Sequence, residues 1–252
     1  MRYSGSKRRF MKELRPILLK HVKENTLFVD AFGGGMNVIC DIPHNRKCAV
    51  ELNRYVYSLW IHIRDGITKN NKTIDELIPK ELTEEKYYEI KKSYIDKDGR
   101  FPDWLIGYVG SALSYGGGWF AGYAKFNHKK NENHILEAFN GLKKQVENFY
   151  FLEKTNFVNC SYDEMIYPPN SVIYCDPPYA DTKKYETDFN HEIFWEWVRK
   201  MSKQGHYVYV SEYNAPSDFK CIWQKKKKDG MGTTKRGKKQ NIKIEKLFIY
   251  NG

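Results

Sequence analysis

The sequence predicts an α/β protein built on a mainly parallel sheet, and three stretches predict it. Residues 26–30 (TLFVD), 46–51 (RKCAVE) and 172–176 (VIYCD) are short apolar runs that each end on an acid. The first runs into a glycine turn and the second into a helical pattern, while two prolines follow the third. Strands alternating with helices pack as a parallel sheet covered on its faces. Such sheets place ligands beyond the carboxyl ends of their strands, where all three acids fall.

Taken in order, residues 26–30 are expected to form a strand and AFGGGMN a turn, with a helix then running through Val38, Ile39 and Ile42 until Pro43 breaks it. Residues 46–51 form a second strand, followed by a helix through Tyr55, Leu59 and Ile63. From about 67 to 150 the pattern changes. Helical stretches (TEEKYYEIKKSYI and ENHILEAFNGLKKQVENF) flank a glycine and aromatic segment, SYGGGWFAGYAKFNHKK, and together they predict an inserted subdomain. Strands then resume with NFVNC, SVIYCD and HYVYVSEY. The helix over 191–203 puts Ile193, Phe194, Trp197, Val198 and Met201 on one face. Two last strands cover 219–223 and 242–250. The run between them, KKKKDGMGTTKRGKK, holds eight basic residues and one acid, 8 − 1 = +7 in fifteen residues.

At 252 residues the chain can bury a real core, as one large domain or one with a sizeable insertion. A net charge of +11 favours a polyanionic partner. Cys40, Cys48, Cys160, Cys175 and Cys221 form no CxxC pair and are expected to be reduced thiols in a cytosolic protein. No apolar run approaches the ~20 residues of a membrane span, and no apolar stretch follows the basic N-terminus, so neither a span nor a secretory signal is expected. The histidines lack metal-ligand spacing, and no metal is expected.

Glycines after the first strand let backbone N–H groups approach a ligand closely. FGGGM is not G-x-G-x-x-G, but Glu51 ends the second strand about 20 residues on, where such folds bind ribose hydroxyls. The pair suggests an adenosyl-containing cofactor. In DPPY, Pro177 and Pro178 stiffen the loop that follows Asp176. A carboxylate and a proline carbonyl can accept both hydrogens of a planar exocyclic amine and localise its lone pair. Tyr179 offers a face on which a base stacks.

With these motifs the sequence resembles the Dam-like, D12 class of adenine-specific DNA methyltransferases, in the α-type order that puts cofactor motifs before the catalytic one. The resemblance implies a Rossmann-like S-adenosylmethionine-dependent methyltransferase sheet with helices on both faces. It assigns 1–66 and 150–252 to the catalytic domain and 67–149 to an inserted, mostly helical target-recognition subdomain. DPPY, Asp176, Pro177, Pro178 and Tyr179, is then the catalytic motif. RYSGSK at 2–7 resembles the N-terminal motif whose aromatic residue and lysine, here Tyr3 and Lys7, contact S-adenosyl-L-methionine. DAFGGG at 30–35 implies cofactor contacts from Asp30, Phe32, Gly33 and Gly35, with Glu51 at the ribose and Asp176 nearby. NCSYDEM at 159–165 nominates Tyr162 against the cofactor adenine, and SEYNAP (211–216) and EKLFIYN (245–251) match later core strands. Met36 stands where the family often has another glycine, and Glu51 where aspartate is common.

On this reading the substrate is double-stranded DNA, with the target adenine flipped out of the helix. The resemblance implies a monomer in the bacterial cytoplasm, host- or phage-encoded. Two segments are candidate DNA contacts. The lysine run, including Lys235 and Arg236, is either a solvated loop or a phosphate-binding hairpin. The segment with Tyr115, Trp119, Lys125, Lys129 and Lys130 is either an aromatic mini-core or a hairpin that fills the hole left by the flipped base. Cytosine N4 or an RNA base as the target, or a DNA-binding protein without turnover, are the competing readings.

Overall fold

A computed structural model describes residues 1, 3–127, 132–147, 149–179, 189–228 and 242–252. Seven strands form one sheet: β1 (Phe28–Asp30), β2 (Lys47–Val50), β3 (Thr155–Val158), β4 (Val172–Cys175), β5 (Tyr207–Glu212), β6 (Phe219–Lys228) and β7 (Ile242–Tyr250). Their order is β3-β2-β1-β4-β5-β7-β6. The first five run parallel, and β7 lies antiparallel between β5 and β6. The expected parallel sheet therefore becomes mixed at one end, where β6 and β7 pair as a hairpin with a register shift between Cys221 and Trp223.

The helices are α1 (Met11–Leu18), α2 (Arg54–Thr68), α3 (Ile74–Leu77), α4 (Glu84–Asp96), α5 (Asp103–Gly107), α6 (His134–Val146), α7 (Phe149–Lys154) and α8 (His191–Lys203). Asparagine side chains start three of them. The Asn53 carboxamide oxygen accepts from the Tyr55 and Val56 amides, Asn133 from Leu136, and Asn190 from Ile193. The helix expected after the glycine turn is instead one 3-10 turn, Ile39–Asp41. Buried Lys47 donates to the carbonyls of Ile39 and Ile42, so a side chain serves carbonyls that a longer helix would have bonded.

Strand alternation sorts the apolar residues to two faces. Val172 and Tyr174 join a core with α1, α2, α4 and α6, while Ile173 and Cys175 pack under α8 through Phe194, Trp195, Val198 and Met201. On α8, Trp195 is buried where the helical period placed Ile193, which is 54% exposed. Tyr87, Ile106, Tyr108 and Phe139, all from 67–149, share one apolar core with Trp60 and Phe157. All five cysteines are free thiols. Among the described residues no helix is long and apolar enough to cross a membrane.

Candidate active site

Three strand ends meet at the carboxyl edge of the sheet. Asp30 ends β1, Glu51 follows β2 and Asp176 follows β4, and the β1–β4 pairing sets Asp30 beside Tyr174. Asp30 is 2% exposed, and its Oδ1 makes no hydrogen bond among the described residues. Burial, with the Asp176 charge nearby, pushes its pKa up to about 7.

Glu51 is tied at both oxygens. The Gly34 amide donates to Oε2 at 2.6 Å and the Asn53 amide to Oε1 at 2.7 Å. Burial raises its pKa to about 7 against the pull of those two N–H groups. Asn159 donates to the Glu51 and Leu52 carbonyls and fixes the loop from the β3 side. Each Glu51 oxygen accepts one backbone hydrogen and retains capacity for another.

The glycine turn does more than approach a ligand. Gly34 has φ +46°, and a Cβ there would meet the Tyr3 ring at 2.6 Å; one at Gly35 would meet the Tyr3 Cβ at 2.6 Å. From the other side, Gly117 (φ +74°) presses on the Tyr3 backbone, and the Ser4 amide donates to its carbonyl at 3.1 Å. Tyr3 is thus clamped between the turn and a glycine of the SYGGGW segment, a packing that no local pattern in the sequence announces. Met36 takes φ +54°, a left-handed backbone conformation that glycine adopts far more readily. Gln145 on α6 donates to the Gly35 and Met36 carbonyls.

Lys7 is 2% exposed and points at Asp176. Its Nζ donates to Asp176 Oδ1 at 2.7 Å, to Oδ2 at 2.8 Å and to the Gly5 carbonyl at 3.0 Å. Burial opposes the Lys7 charge, but Asp176 and Glu245 outweigh it and hold its pKa above the ordinary lysine value. Burial also holds Asp176 above the usual carboxylate range, against Lys7. The Lys7 ammonium lies 4.8 Å from the Tyr179 ring centroid, Tyr213 meets that ring edge-on at 4.6 Å, and the Tyr179 hydroxyl donates to Glu245 Oε1. Pro177 is buried and Pro178 partly so.

Phe32 stacks on Tyr162 with centroids 5.2 Å apart, and Tyr162 leans edge-on against Phe194 and Trp197 of α8. The structure therefore brings Tyr3, Asp30, Phe32, Gly33, Gly35, Glu51, Tyr162 and the DPPY residues to one edge of the sheet, with Lys7 on Asp176. A family model of the D12 class N6 adenine-specific DNA methyltransferases matches residues 3–228. The chain belongs to that family. No curated protein matches the sequence. Among solved structures, SMU.472, assigned as a methyltransferase and complexed with SAH, is similar at 11% identity and a TM-score of 0.37. That likeness covers 98% of this chain and 53% of the other, so the chain spans about half the length of that structure. Membership in the D12 family rests on the sequence match.

The candidate DNA contacts of this D12 chain are less gathered. Tyr115 is 61% exposed, on the 3-10 turn (Tyr115–Gly117) that holds Tyr3. Trp119 packs instead against Tyr55, Tyr94 and Phe120, the mini-core alternative. Lys125 pairs with Glu84 at 2.9 Å. The lysine run begins as strand, since β6 reaches Lys228. Lys129, Lys130, Lys235 and Arg236 lie outside the described residues. Sequence reasoning gave no role to Glu245. Its signal was available: an acid on the inward side of an apolar strand, in step with buried Leu247.

Proposed function

We propose that this D12 protein transfers a methyl group from S-adenosyl-L-methionine to N6 of an adenine flipped out of double-stranded DNA. The observation that carries the proposal is the meeting of Asp176 and Tyr179 with Asp30, the glycine turn and Glu51 at one sheet edge. The groups present fit the cofactor: a buried carboxylate oxygen of Asp30 without a partner among the described residues, Glu51 with acceptor capacity left for ribose hydroxyls, and the Phe32–Tyr162 pair as an aromatic wall. When bound, S-adenosyl-L-methionine supplies the methyl as a sulfonium and leaves with the bonding pair on sulfur.

The chain's residues then act on the base. Extrusion costs a few kcal/mol, which stacking on Tyr179 offsets by roughly 1–3 kcal/mol. Asp176 accepts one N6 hydrogen and the Pro177 carbonyl the other, which localises the lone pair for in-line attack. Positive charge develops on N6 beside Asp176, and the proton leaves after methyl transfer, when the amine is far more acidic. An ordinary carboxylate suffices, because its field rather than its basicity does the stabilising. Residues 67–149 act as the target-recognition part, with Tyr115 toward the duplex, and the protein works as a monomer in a bacterial cytoplasm, host- or phage-encoded.

The test is to incubate unmodified genomic DNA with the protein and labelled S-adenosyl-L-methionine, then identify the modified base and its sequence context. N6-methyladenine at a defined sequence is expected. N4-methylcytosine would move the target to the other planar amine, and no incorporation would refute the transfer.

A further inference from the structure

Glu245 lies on β7, beyond the residues 3–228 that the family model matches. It is 1% exposed, and a carboxylate so placed is costly unless paired. Its partners belong to the candidate active site. The Tyr179 hydroxyl donates to Oε1, and the Lys7 ammonium stands 3.3 Å from the same oxygen while holding both oxygens of Asp176. One ammonium is therefore shared by two carboxylates, leaving one negative charge in the cluster.

We infer that Glu245 is a positioning and charge-balancing residue for methyl transfer: it fixes Lys7 and the Tyr179 hydroxyl, and it offsets the Lys7 charge so that Asp176 presents an uncompensated carboxylate to the target amine. The inference rests on the methyl-transfer reading above. Lys7 alone with Asp176 forms a neutral pair, and a neutral pair does little for the positive charge arriving on N6. Glu245 restores the missing charge from a position closed to solvent. It also sets the azimuth of the Tyr179 ring by tying its hydroxyl, so stacking and hydrogen-bonding geometry are fixed together.

Charge balance makes a prediction that a purely structural role does not. Glu245→Gln keeps shape and an acceptor for Tyr179 but removes the charge. Single-turnover methyl transfer should fall about 10²-fold, while the dissociation constants for S-adenosyl-L-methionine and DNA stay within about twofold. Lys7→Met together with Glu245→Gln returns the cluster to one negative charge, so the double variant should be faster than Glu245→Gln alone. Losses that multiply in the double variant would overturn the inference, as would a Glu245→Gln rate equal to that of the unmutated protein.

A second readout needs no turnover. Asp176 faces Lys7 from the N-terminal segment, Glu245 from β7, Tyr179 from its own loop, Tyr174 and Cys175 from β4 and Asp30 from β1. Removing the Glu245 charge leaves Lys7 to Asp176 alone, so the Asp176 titration, followed by carbon NMR of labelled aspartate, should move to lower pH. Glu245→Asp, with its charge retained, should stay near the unmutated midpoint. An unmoved midpoint in Glu245→Gln overturns the inference. Absence of transfer by the unmutated protein refutes the methyl-transfer reading instead, and the titration still reports on the cluster.

Discussion

Glu51 and Asp176 are both acids at strand ends, yet their surroundings give them different work. Glu51 is held by two backbone N–H groups, and burial pushes its pKa up to about 7 against them. Ribose hydroxyls that donate to it favour the ionised form, so cofactor binding should release a proton at mild acidity. Calorimetry should show affinity for S-adenosyl-L-methionine falling as pH drops below about 7. Glu51→Ala should weaken binding by roughly 1.5–3 kcal/mol, one charge-assisted hydrogen bond. Stability runs the other way. Asp30 and Glu51 hold protons in the folded chain up to about pH 7 that the unfolded chain has already released. Their contribution to folding is therefore complete below the unfolded values and is lost as pH rises through about 7. Asp176→Ala should nearly abolish turnover, and Asp176→Asn should fail too, since it loses the charge and turns a donor toward N6. DNA binding, measured by filter retention, should survive both changes, because phosphate contacts lie elsewhere. These acids were legible because each closes an apolar run. The Lys7–Asp176 pair was not, because it joins residues 169 apart and no local rule names such a partner.

At the scale of elements, the N-terminal segment is the piece whose place is least obvious from local sequence. RYSGSK has no helical or strand period, and it owes its position to glycines contributed by two other segments. Gly117→Ala tests that clamp. Its positive φ costs an L-residue roughly 1–2 kcal/mol, and a Cβ 2.9 Å from the Tyr3 backbone adds overpacking of about 1–3 kcal/mol. Gly99, at φ +69° with nothing within 4 Å, provides the control. Urea unfolding should show Gly117→Ala losing more stability than Gly99→Ala, and only Gly117→Ala should weaken cofactor binding. Equal losses would mean that Tyr3 moves freely in the clamp. Strands and the longer helices were legible because period and capping agree: α8 spans the expected 191–203, and Asn190 caps it. The absence of a longer helix after the glycine turn is not legible, because its apolar spacing is real while its carbonyls are served by side chains of other elements, Lys47 on the next strand and Gln145 on α6, 110 residues from Gly35.

For the whole molecule, the two quantities that matter are a shared core and a surplus of positive charge. Because Tyr87, Ile106 and Phe139 bury against the same core as Trp60, the segment 67–149 is expected to be energetically coupled to the sheet it is inserted into. The charge acts at longer range. A net +11 draws a polyanion from any direction, and the lysine run concentrates +7 of it in fifteen residues. Lys225 on β6 already pairs with Glu13, so it has less to give a phosphate than its neighbours. Replacing Lys226, Lys235, Arg236, Lys238 and Lys239 with serine should therefore weaken binding to all DNA sequences alike. The slope of log affinity against log salt should flatten by about 0.9 for each phosphate that is no longer neutralised. The modified sequence in genomic DNA should stay the same, because base edges rather than phosphates carry the choice of site. Titrations with a labelled duplex between 50 and 200 mM salt, roughly the range over which such interactions dominate, measure this directly. An unchanged slope would mean that the run faces solvent and that the positive face meeting DNA lies elsewhere on the molecule.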